Sequence, residues 1–136
     1  MPLGNVLGEF VGKAMSVRIT DLGGGQRRTE ADFTGEAKGQ VPGQFFSTMT
    51  VEGVPGQAVT YSYTGALLAA SGAVMRFSGR GVGIRTGEGH KARYRGSGCS
   101  FTDDPKLAAF NNMLVAVEFE IDPATLTIKG ATCEWK

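Results

Sequence analysis

Apolar side chains return at every second position in short runs along nearly the whole chain, and glycine, proline or aspartate closes each run. Period two is the repeat of an extended strand with one buried face, whereas a helix would repeat near 3.6 residues. Such runs fall at about residues 8–20, 26–38, 44–53, 57–68, 73–85, 90–101, 114–121 and 126–135, with boundaries placed to within ~2–4 residues. Seven short connections join them. Consecutive antiparallel neighbours make a meander, and eight such strands close naturally around a packed core or one small ligand. The expected fold is all-β, one domain over residues 1–136: an eight-stranded antiparallel up-and-down barrel, with an open sheet or sandwich as the alternative. One segment breaks the pattern, Asp104-Pro105-Lys106-Leu107-Ala108-Ala109-Phe110-Asn111. Aspartate as N-cap and proline at the first helical position predict a short helix near 105–111, with Leu107 and Phe110 placed to cap one barrel end.

Glycine and charge set the expected pairings. The chain holds 21 glycines in 136 residues, about twice the usual share of roughly 7%. Thr86-Gly87-Glu88-Gly89 reads as a type II′ hairpin turn, which needs a positive φ at its first central residue. That turn sets Gly83 against Ala92, Gly81 against Tyr94 and Gly79 against Gly96. A companion register places Tyr63 against Phe77, Tyr61 against Gly79 and Val59 against Gly81, so that aromatic rings cover strand glycines. The pairing of 90–101 with 114–121 needs no turn, because both faces select it. Lys91 meets Asp122, Arg93 meets Glu120 and Arg95 meets Glu118 outside, while Tyr94 meets Phe119 and Gly96 meets Val117 inside. A turn at Asp122-Pro123-Ala124-Thr125 extends the set, with Phe119 against Ile128 and Glu118 against Lys129.

These registers assign an inward set of Met15, Val17, Ile19, Phe33, Phe45, Met49, Val51, Tyr61, Tyr63, Met75, Phe77, Tyr94, Val117, Phe119 and Ile128. Three phenols among apolar side chains suit a small apolar ligand with one or two polar atoms. A filled core, in which the glycines only permit curvature, fits the same pattern, because periodicity does not measure volume. Alternation also points Glu134 inward near a barrel mouth, where a carboxylate can serve as general acid or base. A frayed terminus or a bulge would turn it to water instead, which is the simpler account.

Charge excludes some partners. Fourteen basic and thirteen acidic residues leave a net charge of +1, too little to draw a nucleic acid or a membrane by bulk charge. Arg76, Arg80, Arg85, Lys91, Arg93 and Arg95 crowd one stretch of the exterior, with Glu118 and Glu120 compensating two of them. Arg80 falls opposite Arg95, a repulsive pair that a bound anion, a partner chain or Glu118 would relieve. Cys99 and Cys133 both oppose Leu114, from either side of one strand. Two strand spacings, about 9.6 Å, exceed the ~7 Å limit on disulfide Cα separation, so both are expected as free thiols in a reducing compartment. Leu114, Phe101, Val82, Ile84 and Trp135 beside them make an apolar outer face suited to self-association. Met1 to Met15 is interrupted by Gly4, Gly8, Glu9, Gly12 and Lys13, which leaves no signal-peptide or membrane stretch and predicts a cytoplasmic protein.

Several motifs fall away on context. Gly87-Glu88-Gly89-His90-Lys91-Ala92 spells a dinucleotide fingerprint, but a strand follows where pyrophosphate needs a helix N-terminus. His90 is the single histidine, and no metal cluster or nucleophile triad surrounds it; it is expected to sit exposed beside the turn. Pro2 could act as an N-terminal base, yet the βαβ pattern of such enzymes is missing.

The glycine-interrupted strand Phe77-Ser78-Gly79-Arg80-Gly81, followed by Tyr94-Arg95-Gly96-Ser97-Gly98 and then Ser100-Phe101 leading into a short helix and another strand, resembles the allene oxide cyclase and dirigent barrel superfamily. Lipocalins are a second comparison, with Gly8-Glu9-Phe10 standing where their N-terminal motif carries tryptophan. The first resemblance implies a small barrel, often oligomeric, whose apolar cavity serves binding or cofactor-free cyclisation and isomerisation. The resulting expectation is a barrel that binds a small hydrophobic molecule without a cofactor and forms a homo-oligomer. Tyr61, Tyr94 and Glu134 are its candidate catalytic groups, and Met49, Tyr63, Met75, Phe77 and Phe119 its candidate ligand contacts. A non-catalytic interaction barrel with a filled lumen is the alternative.

Overall fold

The computed structural model describes residues 3–85 and 91–135. Its strands are β1 (Leu3–Gly23), β2 (Gln26–Gly39), β3 (Gly43–Gly53), β4 (Val59–Ala69), β5 (Val74–Arg85), β6 (Ala92–Thr102), β7 (Leu114–Asp122) and β8 (Thr127–Trp135). Each pairs antiparallel with the next and β8 returns to β1, so the sheet closes as a barrel. Between β6 and β7 a 3₁₀ helix spans Pro105–Asn112, with the Asp104 carboxylate accepting from the Lys106 N–H as its N-cap. Leu107 and Phe110 of this helix pack against the core. Among the described residues no helix is long and apolar enough to cross a membrane.

The β6–β7 ladder runs as charge and apolar complementarity predict. Arg93 faces Glu120, Arg95 faces Glu118, Tyr94 faces Phe119 and Gly96 faces Val117. Both outer pairs form ion pairs, at 3.1 and 2.8 Å, and Arg28–Glu52 adds a third at 2.7 Å across β2 and β3. The other three expected ladders, two of them inferred from turns, are each displaced by two residues. Between β4 and β5, Tyr63 faces Gly79, Tyr61 faces Gly81 and Val59 faces Gly83. Between β5 and β6, Gly83 faces Tyr94, Gly81 faces Gly96 and Gly79 faces Gly98. Between β7 and β8, Phe119 faces Gly130 and Glu120 faces Lys129, rather than Phe119 facing Ile128 and Glu118 facing Lys129.

Longer loops cause two of these displacements. Beyond β7 the chain does not reverse at Pro123-Ala124; Leu126 adopts φ +57 and its N–H donates to the Asp122 carbonyl at 2.8 Å, so Asp122 pairs with Thr127. At the β4–β5 connection Gly72 takes φ +94, the Gly72 N–H donates to the Ala69 carbonyl and the Ala69 N–H to the Ala73 carbonyl. Residues Thr86–Gly89 and His90 lie outside the described residues. A slip of two preserves the face of every side chain, and for that reason the inward set survives although the partners change. The slip also removes the Arg80–Arg95 conflict: Arg80 faces Ser97 and Val82 faces Arg95.

The inward set needs correction on β1. Met15, Val17 and Ile19 are 71%, 43% and 58% exposed. A bulge between Ala14 and Ser16 inserts one residue and changes the parity of the strand, which puts Phe10 and Ala14 against the core instead. Beyond Lys13, the last β1 residue paired with β8, the β1–β2 hairpin runs past the closed part of the barrel. Val17 and Ile19 still pair with inward-facing Ala31 and Thr29, but no opposite wall covers them. Cys99 faces Leu114, whereas Cys133 faces Ala116; both cysteines are free thiols. Val82, Ile84, Phe101, Leu114 and Trp135 are exposed on the outside.

Candidate functional site

Rings and glycines share out the lumen. A Cβ at Gly83 would collide with the Tyr94 ring, one at Gly96 with the Tyr61 hydroxyl, and one at Gly79 or Gly98 with the Tyr63 hydroxyl. Phe45 occupies the same position over Gly12 and Gly35, Phe77 over Gly65, and Phe10 over Gly130. Glycine is common in these strands because a ring atom, and at most of these positions a backbone carbonyl of the adjacent strand as well, occupies the space a Cβ would need.

The turn-rich end nearest Tyr61 and Tyr94 is filled by this packing. Tyr94 stacks on Phe119 at 4.9 Å, and Tyr61 meets both Tyr94 and Phe119 edge-on at 5.3 Å. Tyr61 and Tyr94 are 3% and 7% exposed, and the Tyr61 hydroxyl is buried without a hydrogen-bond partner. Neither tyrosine is on the wall of the cavity in the other half of the barrel.

The opposite half, toward the 3₁₀ helix, is open. A cavity of about 190 Å³ lies there, and Met49, Tyr63, Met75, Phe77 and Phe119 are all on its wall, together with Phe10, Phe33, Phe45, Leu67, Val115, Val117, Ile128 and Phe110 of the helix. The structure therefore brings the five candidate ligand contacts onto one wall and leaves Tyr61 and Tyr94 off it, packed behind Phe119 and Tyr63. Phe10 and Phe110 complete the wall. Parity on the bulged β1 concealed Phe10; the signal that finds it is the spacing Phe10-x-Gly12-x-Ala14, read without Met15.

Polar atoms on this wall are few. The Ser47 and Ser100 hydroxyls are occupied, donating to the carbonyls of Thr64 and Phe110, each at 3.4 Å. Thr132 and Tyr63 contribute the other hydroxyls. Glu134 faces Val115 on the inward row and has one carboxylate oxygen buried, so alternation, not fraying, governs it; it stands beside the wall, not on it. Among the described residues no group of three His, Cys, Asp or Glu is arranged to hold a metal ion.

No family model and no curated protein matches this chain. Solved structures do. A protein of unknown function from Clostridium acetobutylicum ATCC 824 superposes with a TM-score of 0.83 at 14% identity, covering 100% of both chains. A conserved protein of unknown function from Rhodopseudomonas palustris gives 0.81 at 14%, covering 98% of each chain. A beta-barrel like protein from Acinetobacter baumannii AYE gives 0.83 at 12%, covering 99% of this chain and 96% of that one. The likeness is one of fold.

Burial gives the phenols a measurable signature. Desolvation, with Cys99 as a smaller cause, pushes the Tyr63 hydroxyl up to about 12; desolvation first, then the neighbouring Tyr63 and Tyr94, pushes Tyr61 up as well. Below pH ~10 both phenols are protonated in the folded and unfolded chains, and their contribution is fully present. Above it the unfolded chain loses protons that the folded chain retains. Stability should then fall by ~1.4 kcal/mol per pH unit for each phenol until the folded form also ionises. Urea midpoints measured from below pH 10 to pH 12 should decline, and less steeply in Tyr61→Phe and Tyr63→Phe. Tyrosinate absorbance rising fully near pH 10 with no loss of stability would sink this.

Proposed function

We propose that this barrel binds a small, largely apolar molecule inside its lumen. The observation that carries the reading is a cavity of about 190 Å³ in an otherwise ring-filled barrel, walled by Met49, Met75, Phe77, Phe119 and their neighbours. An apolar cavity of ~150 Å³ is known to take up benzene, so the occupant is of single-ring or short-chain size. Burying ~200 Å² of apolar ligand surface at ~25 cal/mol per Å² is worth about 5 kcal/mol, a Kd on the order of a few hundred micromolar. The resemblance of the glycine-interrupted strands to allene oxide cyclase and dirigent barrels supports the same reading. Any cyclisation or isomerisation in this lumen would have Tyr63 as its phenol, since Tyr61 and Tyr94 do not reach the cavity. Self-association would use the exposed face of Val82, Ile84, Phe101 and Leu114.

Methionine methyl groups offer a direct test. Titrating ¹³C-methyl-methionine protein with toluene should move the Met49 and Met75 resonances in a saturable way and leave the exposed Met15 in place. A Val115→Phe variant, which fills the cavity, should lose the response. Absent shifts at millimolar toluene, or equal shifts at Met15, would reject the reading.

A further inference from the structure

We infer that the cavity selects a neutral molecule carrying one hydrogen-bonding oxygen, and that the Tyr63 hydroxyl is the group that selects it. This deepens the binding reading above and rests on it.

Among the described residues the cavity wall turns no charged side chain inward. Glu9 and Lys38 border the cavity, but they face each other across the β1–β2 ladder and both are exposed, while their neighbours Phe10 and Ala37 are turned toward the core. Beside this wall the inward row of β8 carries Glu134, an acidic residue across the ladder from Val115 and off the wall itself. A carboxylate ligand would lose its hydration with no inward-turned cation to meet it, and an ammonium would find no inward-turned carboxylate on the wall. Burying either ion unpaired is strongly unfavourable.

Few groups on the wall can satisfy a ligand oxygen. Ser47 and Ser100 are engaged with backbone carbonyls. Tyr63 is on the wall, its hydroxyl lying above Gly79 and Gly98, next to Val115, which faces Gly98 and is itself on the wall. Among the described residues this hydroxyl makes no hydrogen bond, and burial keeps it protonated. It can donate to a ligand carbonyl or ether oxygen, or accept from a ligand hydroxyl. A hydroxyl set in an apolar wall with no protein partner discriminates against ligands that cannot pair with it.

Four probes of nearly equal size test this: toluene, benzyl alcohol, benzoate and benzylammonium, each titrated calorimetrically into the full chain. Benzoate and benzylammonium should bind at least ~10-fold more weakly than benzyl alcohol. In Tyr63→Phe the preference for benzyl alcohol over toluene should fall ~5-fold or more while toluene affinity is kept. Tyr61→Phe, whose hydroxyl is buried away from the cavity, should leave the preference unchanged. An ion bound as tightly as benzyl alcohol would overturn the neutrality. A preference untouched in Tyr63→Phe but lost in Thr132→Val would overturn the assignment to Tyr63. If toluene and benzyl alcohol both fail to bind, the binding reading itself falls, an outcome distinct from either.

Discussion

Phe119→Ala should destabilise the barrel by about 3–5 kcal/mol, the range for deleting a phenylalanine side chain from a packed interior. Phe119 is buried and joins the two halves of the lumen: it stacks on Tyr94, meets Tyr61 edge-on, lies 6.2 Å from Phe10 and borders the cavity. Each ring pair is worth ~0.5–1.5 kcal/mol beyond its buried area. Collapse cannot recover the loss, because the neighbouring rings are held over glycine backbone and have no closer position to adopt. The effect should appear as a fall in the urea midpoint without a change in slope. Phe101→Ala is the control, since Phe101 is a ring of the same size exposed on the outside, and it should change stability by less than ~0.5–1 kcal/mol. The variant should also retain more stabilisation by saturating toluene than the parent does, because its cavity is larger. A Phe119→Ala cost below ~1 kcal/mol would contradict the packing described for this half of the barrel.

What could be read from the sequence divides along physical lines. The β6–β7 ladder was legible because two independent preferences, charge outside and apolar size inside, agree on one register: Arg95 with Glu118 and Tyr94 with Phe119. Ladders reasoned from turns slipped by two, because loop length is decided by backbone geometry such as the φ +57 of Leu126, which its side chain does not announce. Side-chain parity tolerates that error and fails at a bulge, where one extra residue near Met15 hid Phe10; Val17 and Ile19 keep the predicted parity and are exposed because the β1–β2 hairpin runs past the closed barrel. The candidate site divides in the same way. Alternation identified the inward faces of Met49, Tyr63, Met75, Phe77 and Phe119, but which tyrosine meets a void depends on volume. Tyr63 does so and Tyr61 does not, because the Tyr61 ring meets Tyr94 and Phe119 while the next row lies beside the opening.

Two glycines of β5, two residues apart on the same face, should respond to alanine in different ways. The three atoms nearest to a Cβ at Gly83 all belong to the Tyr94 ring. Gly83→Ala should therefore cost ~1–3 kcal/mol as overpacking against a side chain that can be removed. Combined with Tyr94→Ala, it should cost less than the sum of the two single changes by about the same 1–3 kcal/mol, the coupling a double-mutant cycle reads for residues in contact. A Cβ at Gly81 meets the Arg95 carbonyl and the Gly96 Cα, which are backbone atoms of β6. Gly81→Ala must part the β5–β6 ladder, so it should cost ~3 kcal/mol or more, and Tyr61→Ala, which empties the ring position facing it, should give no relief. Denaturation of the four single variants and two doubles measures both quantities. Equal coupling in the two cycles would mean that rings, not backbone, limit the space at both sites. Unequal coupling would identify the β5–β6 seam as the rigid part of the wall, against which the Tyr63 hydroxyl is positioned over Gly79 and Gly98. The spacing of glycines along β5 and β6 would then set how much of the lumen is ring and how much is cavity.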